Sequence, residues 1–390
     1  MTAAVGRVAE LPVAHSALRR LSIRAFRNLK RAEIELPAAG IALVGENGQG
    51  KTNFLEAIYY LRLLRSLRGA QDAELVTFGE TGFHLAATIE GARAHDVSVG
   101  FDRLGRRKKI MLDGAEPERM ADALGAFPAV IFSPRDAVLV TGAPVERRRF
   151  LDVMLALSSR PYLTALQRYR GALARRNAAM REMRLNHAAR EACAAVWEPA
   201  LAANGAIIFS ARQEWAKMYA EQYAARCEAI GERGSATLRY ASSLDATRDD
   251  AERALLEALE KKRPIDVKRG ITHAGPHRDD LDLSLEGREL RTYGSAGQQR
   301  TAAIALRLLE AATFRTRGGA QPVLLLDDPF AELDRTRASR VLALLEESSA
   351  KGLGQTILCV PREDEIPRAF TRLKRWRVAD GVFSTAGEGA

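Results

Sequence analysis

The 390 residues carry 59 Lys and Arg against 49 Asp and Glu, a formal charge of +10, with 47% hydrophobic content. Such a chain buries a substantial core, its length suggests two or three domains, and its basic balance favours a polyanionic partner such as nucleic acid or an anionic membrane face. No stretch reaches the ~18 to 20 uninterrupted apolar residues of a membrane span, and residues 1–20 lack the apolar core of a signal peptide, so a cytoplasmic protein is expected.

Residues 1–17 are Ala-rich without a clear period and read as a loose extension. The fold is expected to start at Leu18. Leu21 and Ile23 alternate with polar neighbours, as do Ile34 and Leu36 before Pro37, which predicts a two-stranded hairpin. A short apolar run follows at 41–44, and apolar residues recur at helical spacing over 51–64. Between them Gly45, Glu46, Asn47, Gly48, Gln49, Gly50, Lys51 and Thr52 satisfy G-x-x-x-x-G-K-[ST] at every fixed position. In this strand, loop and helix context the glycines let backbone N–H groups close around phosphate oxygens. Lys51 then reaches the β- and γ-phosphates, and Thr52 offers its hydroxyl to Mg²⁺.

Strand patterns at 83–89, 97–101 and 109–112, the last before an Asp113-Gly114 turn, predict an antiparallel segment. Its loop, RLGRRKK at 103–109, reads either as a phosphate-contacting tip or as a solvated one. A further apolar run at 130–132 stops at Ser133-Pro134. From Val145 the pattern turns helical: Phe150, Met154 and Leu157 share one face, Tyr162, Leu166, Tyr169 and Leu173 another, and Ile208, Trp215, Tyr219 and Tyr223 a third. These aromatic residues are expected in a lobe core. Between Pro144 and Arg190 stand 11 arginines against three acids, 11 − 3 = +8 of the chain's +10. That charge reads equally as a solvated face or as a surface for DNA phosphates, with Arg147, Arg148, Arg149, Arg175 and Arg176 as the candidate contacts. Cys193, Cys227 and Cys359 form no C-x-x-C pair and are expected as buried small side chains.

Strand, helix and strand patterns return at 237–240, 253–262 and 281–285, the last before a Glu286-Gly287 turn. YGSAGQQR at 293–300 opens a helical run over 301–314, and VLLLDD at 323–328 is an apolar strand ending in two acids. Asp327 is placed to hold Mg²⁺, and Asp328 stands where an attacking water is oriented, so Lys51 and Asp328 are the catalytic candidates. Ser295, Gly297 and Gln298 resemble the signature of ABC ATPases, a small-residue loop opening a helix towards phosphate. Asp334, following Glu332, occupies the place of their D-loop. In those enzymes the signature faces the nucleotide of the opposite subunit, which implies an ATP-sandwiched homodimer or a second ATPase chain as partner. The expected fold is α/β: an ABC-type ATPase head with a mixed β-sheet core, an antiparallel β segment and an inserted helical lobe. Its parts would be 18–143 and 236–385 in the ATPase lobe, 144–235 in the helical lobe, and a tail at 386–390.

Several segments lie outside these general motifs: FRNL at 26–29, NFLEAIYYL after Thr52, FSPRDAVLVTGAPVERRRFLD from Phe132, YRGALARRN at 169–177 and GPHRDDL from Gly275. Together they resemble the RecF family of bacterial DNA replication and repair proteins, relatives of the SMC-type ABC ATPases, from Leu18 to Glu365. The resemblance implies a globular head without a long coiled coil, ATP and Mg²⁺ as cofactors, an ATP-dependent homodimer, and duplex or single-strand/duplex junction DNA as partner. It also implies weak, DNA-stimulated ATP hydrolysis and work with RecO and RecR in helping RecA onto single-stranded gaps. Carried over by motif, Asn47, Gly48, Gly50, Lys51 and Thr52 hold the nucleotide, Thr52 and Asp327 the metal, and Ser295, Gly297 and Gln298 act across the dimer. Asp at 328 is usual for the family, whereas transporter ATPases generally place Glu there. Two places depart from the family: Cys359, Val360 and Pro361 stand where it commonly has hydroxyl residues, with no switch histidine, and Arg135 stands at a place often acidic. The alternatives are a separate ATPase subunit of a membrane transporter and a non-catalytic SMC-like head.

Overall fold

Leu21 and Ile23 alternate into the core along the strand Ala17–Phe26, and Ala25, at φ 52°, shifts the phase before Phe26, which is also wholly buried. The computed structural model describes residues 14–91, 95–182, 186–330, 333–347 and 354–385. Ala17–Phe26 pairs antiparallel with Leu29–Glu35 on one side and Gly82–Glu90 on the other, and His95–Asp102 and Arg107–Leu112 complete a five-stranded antiparallel sheet. The expected Asp-Gly turn is present, with Asp113 at φ 49° and Gly114 at φ 80°. Strand pairing is present before Leu18, where Ala14–His15 pairs parallel with Ala320–Gln321. Residues 1–13 of the expected extension, the tail at 386–390 and Glu332 lie outside the described residues.

The second sheet has six strands in the order Val382–Thr385, Lys374–Ala379, Gly40–Val44, Thr356–Val360, Val323–Asp327 and Ala129–Phe132, all parallel except the first. Gly40–Val44, Thr356–Val360, Val323–Asp327 and Ala129–Phe132 are buried almost throughout, as strands covered on both faces must be, whereas Lys374–Ala379 is buried only at Val378. Thr356–Val360 separates the phosphate-loop strand from the strand bearing Asp327, and the loops after all three leave from the same carboxyl edge, where open α/β sheets bind ligands. The helix Lys51–Leu63 buries Phe54, Leu55, Ile58 and Leu61. Tyr60 and Phe26 meet Phe83 edge-on, at ring distances of 5.4 and 5.3 Å, in the core of the antiparallel sheet.

The chain divides into two compact units, one running to Pro134 and resuming at Glu310, the other Arg135–Leu309. The boundary falls inside the helix Ala296–Gly318. The second unit is therefore larger than the 144–235 lobe expected, and residues 236–309 group with it rather than with the ATPase lobe. The reason is pairing at a distance: Ala236–Ala241 and Asp280–Leu285 form one sheet, and Arg147 grips Asp280 through Nε at 2.8 Å and Nη2 at 2.7 Å. Tyr162, Tyr169, Trp215, Tyr219 and Tyr223 are buried, as a lobe core requires. Cys227 and Cys359 are buried too, but Cys193 is exposed, contrary to expectation, because only Ala194 of its short helix His187–Ala195 is buried. No single described helix is long and apolar enough to cross a membrane.

His277 sits within this unit's polar interior. Its Nε2 lies 3.0 Å from the Thr272 carbonyl, which can only accept, so Nδ1 accepts from the Tyr169 hydroxyl at 2.6 Å. Burial pushes its pKa down to about 4, and protonation would remove Tyr169's acceptor. Above the unfolded-state value near 6.5 both states are neutral and stability is complete; as pH falls from there to about 4, only the unfolded chain takes up the proton, and on the order of 3 kcal/mol is lost. Urea midpoints of wild type and His277→Asn between pH 7 and 4 test this. The variant should lack that component of the decline, and parallel profiles would refute it.

Candidate nucleotide site

The phosphate loop turns through Gly48 at φ 83° and Gly50 at φ 118°, conformations that suit glycine, and a Cβ on Gly50 would lie 2.8 Å from Leu29 Cδ2. The helix it opens has no side-chain N-cap, which leaves its first N–H groups for an anion. Lys51 Nζ folds back over the loop to donate to the Glu46 carbonyl at 2.8 Å and to that of Gly45. With 8% exposure, Lys51 has its ammonium held at the cleft by two main-chain oxygens, a charged donor suited to phosphate.

Across the cleft, Thr52 Oγ1 stands 2.9 and 3.0 Å from the two carboxylate oxygens of Asp327, a contact spanning 275 residues of chain. Burial pushes the Asp327 carboxyl up, opposed by the Thr52 hydrogen bond and by the charges of Arg68 and Lys51. Asp328 follows at φ 46°, its N–H donating to the Cys359 carbonyl at 3.0 Å. Both aspartates line the same cleft of about 310 Å³ as Lys51, Thr52, Asn47 and Arg68. A hydroxyl and a half-buried carboxylate beside the phosphate loop fit a divalent cation.

Gln49 plays a different part from its neighbours. Its side-chain oxygen accepts from Asp380 N at 2.6 Å and its carbonyl from Gly381 N at 2.9 Å, so it ties the loop to the 380–381 turn. Three other supports were not anticipated. Asn28 Nδ2 donates to the Gly48 carbonyl at 3.3 Å and Asn53 Nδ2 to Asn28 Oδ1 at 2.8 Å, while Arg68 Nη2 donates to Asn53 Oδ1 at 3.1 Å. Asn28 carried a signal in its FRNL segment; Arg68 carried none, because its place depends on how the chain turns after the helix. The Cys359 thiol is buried and directed to the Lys51 carbonyl, 3.7 Å away, and it is Pro361 that lines the cleft.

In the second unit, Ser295 and Gln298 form a reciprocal capping box: Gln298 N donates to Ser295 Oγ at 3.3 Å and Ser295 N to Gln298 Oε1 at 2.8 Å. This fixes the start of the helix Ala296–Gly318 with Ser295 exposed and Gly297 in its first turn. Asp334 caps another helix, Arg335–Glu347, by accepting from Arg337 N at 2.9 Å.

The candidate DNA contacts separate sharply. Arg147 and Arg176 are interior, the first on Asp280, the second on Asp266, Glu198 and Thr272, and neither is available to a phosphate. Their assignment is corrected to structural ion pairs. Arg148 donates to the Asp279 carbonyl at 2.8 Å, Arg149 is half-buried, and Arg175 is exposed with its guanidinium 5.2 Å over the Trp197 ring.

The family model described as the RecF/RecN/SMC N terminal domain matches residues 17–381. The chain belongs to the RecF family. The DNA replication and repair protein RecF of Roseiflexus castenholzii is 37% identical over 93% of this chain and 98% of its own length, and that of Salinibacter ruber 35% over 88% and 85%. Among solved structures, the recombination mediator protein RecF with ATP in the RecFOR pathway superposes with a TM-score of 0.85 at 26% identity, covering 97% of this chain and 100% of that one. An Smc head bound to the winged-helix domain of ScpA, at 16% identity and a TM-score of 0.54, shares the fold. The RecF-family architecture thus agrees with the expected ABC-type head.

Proposed function

We propose that this RecF-family chain is an ATP-gated DNA-binding protein of replication-gap repair that closes as a homodimer and hydrolyses ATP slowly. The observation that carries the reading is the Thr52–Asp327 contact beside Lys51, which gathers a phosphate donor and a metal pair from opposite ends of the sequence. The loop N–H groups and Lys51 would bind the β- and γ-phosphates, and Thr52 and Asp327 would hold Mg²⁺, which neutralises charge on the transferred phosphoryl group. Asp328 would orient the attacking water. Its side chain, one methylene shorter than Glu, favours a slow switch over a fast engine. Ser295, Gly297 and the helix they open would face the nucleotide of a second copy, while Arg149 and Arg175 remain as candidates for DNA phosphates. Partnership with RecO and RecR, which the family resemblance implies, belongs to the same reading, as does DNA stimulation of turnover.

Sedimentation and DNA binding with no nucleotide, ATP·Mg²⁺ and ADP·Mg²⁺ test the proposal. ATP alone should produce a dimer that binds DNA. Ser295→Arg should leave ATP affinity within about threefold, since three-fold is under 1 kcal/mol, yet abolish dimerisation; a variant that dimerises normally refutes the trans role. A second reading, a non-catalytic head, draws on Cys359 being turned beneath Lys51 instead of lining the cleft. Stable ATP-dependent dimers without measurable turnover would favour it.

A further inference from the structure

Two turns at one end of the antiparallel sheet use residues that the nucleotide site does not. In the first, Glu80 N donates to the Thr77 carbonyl at 3.1 Å with Gly79 at φ 85°, a type II-like turn that presents Phe78 at its second position, 99% exposed. The turn is anchored just before the ring, where Thr77 N donates to the Ala25 carbonyl at 2.9 Å and Val76 bridges Phe26. The second is the hairpin tip after Asp102, whose carboxylate accepts from Gly105 N at 2.8 Å and Leu104 N at 3.3 Å; Leu104 is 83% exposed. Arg103 N donates to the Thr81 carbonyl at 2.8 Å and joins the two turns.

The tip supplies five cations within residues 103–109. Lys108 is committed inward, to Asp72 at 2.7 Å and the Leu64 carbonyl at 2.8 Å, whereas Arg103, Arg106, Arg107 and Lys109 are exposed. Of the nearby acids, Asp102 is turned to its own loop and Glu80 is exposed. A Phe ring left in water forgoes about 1.5–3 kcal/mol of burial, and the second position of such a turn has no need of an aromatic residue. The ring is thus explained by a partner. An exposed aromatic ring on a turn hydrogen-bonded to a basic hairpin tip matches a nucleobase and its neighbouring phosphates, the combination by which single strands are held.

We propose that Phe78, with the basic 103–109 tip, is a base-stacking site for a single strand of nucleic acid. The inference rests on the DNA-binding reading above and extends it by specifying the strandedness. Bases inside a duplex are already stacked, so a ring on a convex turn engages only an unpaired base, while the cations engage phosphates of either form.

Full-length protein with ATP·Mg²⁺ is titrated against a labelled mixed-sequence oligonucleotide, single-stranded and as its duplex. Phe78→Ala should weaken single-strand binding about tenfold and leave duplex affinity within about twofold, the loss of one stacked base. Phe78→Trp should keep the affinity, with its added indole emission quenched by the single strand. Joint replacement of Arg103, Arg106 and Arg107 by Ser should lower the salt slope on the single strand by roughly 2. Unchanged single-strand affinity of Phe78→Ala, or equal losses on both forms, overturns the stacking site and leaves the DNA-binding reading standing. Wild-type protein that binds neither form in any nucleotide state overturns both.

Discussion

Arg176→Met destabilises the protein by about 3–5 kcal/mol, the cost of breaking a buried ion pair, whereas Arg175→Met costs about 0.5–1 kcal/mol, that of an exposed cation–π contact. The two arginines are sequence neighbours on one helix, yet Arg176 is fully buried and donates to Asp266, Thr272 and Glu198, each at 2.8 Å. Burial works against ionisation of Glu198, but the hydrogen bonds from Arg263 and Arg176 outweigh it and hold the carboxyl below its ordinary value. Removing the Arg176 guanidinium leaves Asp266, with no exposed side-chain surface, without its arginine, in contact with the His273 ring at 2.6 Å. Urea denaturation of the two variants measures the difference. Equal losses, or a loss under about 1 kcal/mol for Arg176→Met, would mean that the interior pairs relax without penalty.

Lys51→Ala weakens ATP binding about a hundredfold under the proposed function, with little change in the unfolding midpoint. Two charge-assisted hydrogen bonds to phosphate contribute about 1.5–3 kcal/mol each, and a factor of ten is about 1.4 kcal/mol. The ammonium is a compact donor seated on the Gly45 and Glu46 carbonyls, and a planar guanidinium does not reproduce that seat. Lys51→Arg should therefore keep more of the binding than Lys51→Ala while losing turnover. Equilibrium titration with a fluorescent ATP analogue decides; an alanine variant within about threefold of wild type would remove Lys51 from the phosphate site.

The contrast between Arg175 and Arg176 shows where sequence reading stops. A charge count treats them alike, because what separates them is Asp266, 90 residues away. The phosphate loop and the Asp327 strand were legible because each is a local pattern: glycines and a lysine at fixed spacing, and an apolar run ending in acids. The antiparallel strands were legible through alternation at Leu21 and Ile23 and the phosphate-loop strand through its apolar run at 41–44, but Lys374–Ala379 and Val382–Thr385 were not anticipated, because KRWRVA has neither pattern. Arg68, the anchoring of Gln49 on the 380–381 turn, and the grouping of residues 236–309 with the helices depend on contacts between distant segments. Leu281 and Leu283 form an alternating strand whether they pair with Tyr240 and Leu238 or with another strand, and only the observed register decides.

The strand order also sets a timetable for the protein as it leaves the ribosome. In its sheet Gly40–Val44 lies between Thr356–Val360 and Lys374–Ala379, while the antiparallel sheet is complete by Leu112. Synthesis at about 5–20 residues per second leaves the phosphate-loop strand unpartnered for roughly 15–60 seconds. During that interval the nascent chain has a finished antiparallel sheet beside an apolar strand with two open edges, the condition that invites mispairing and chaperone capture. Nucleotide has no complete pocket to enter until the strands carrying Asp327 and Cys359 have arrived, so ATP can reward only the final stage of folding.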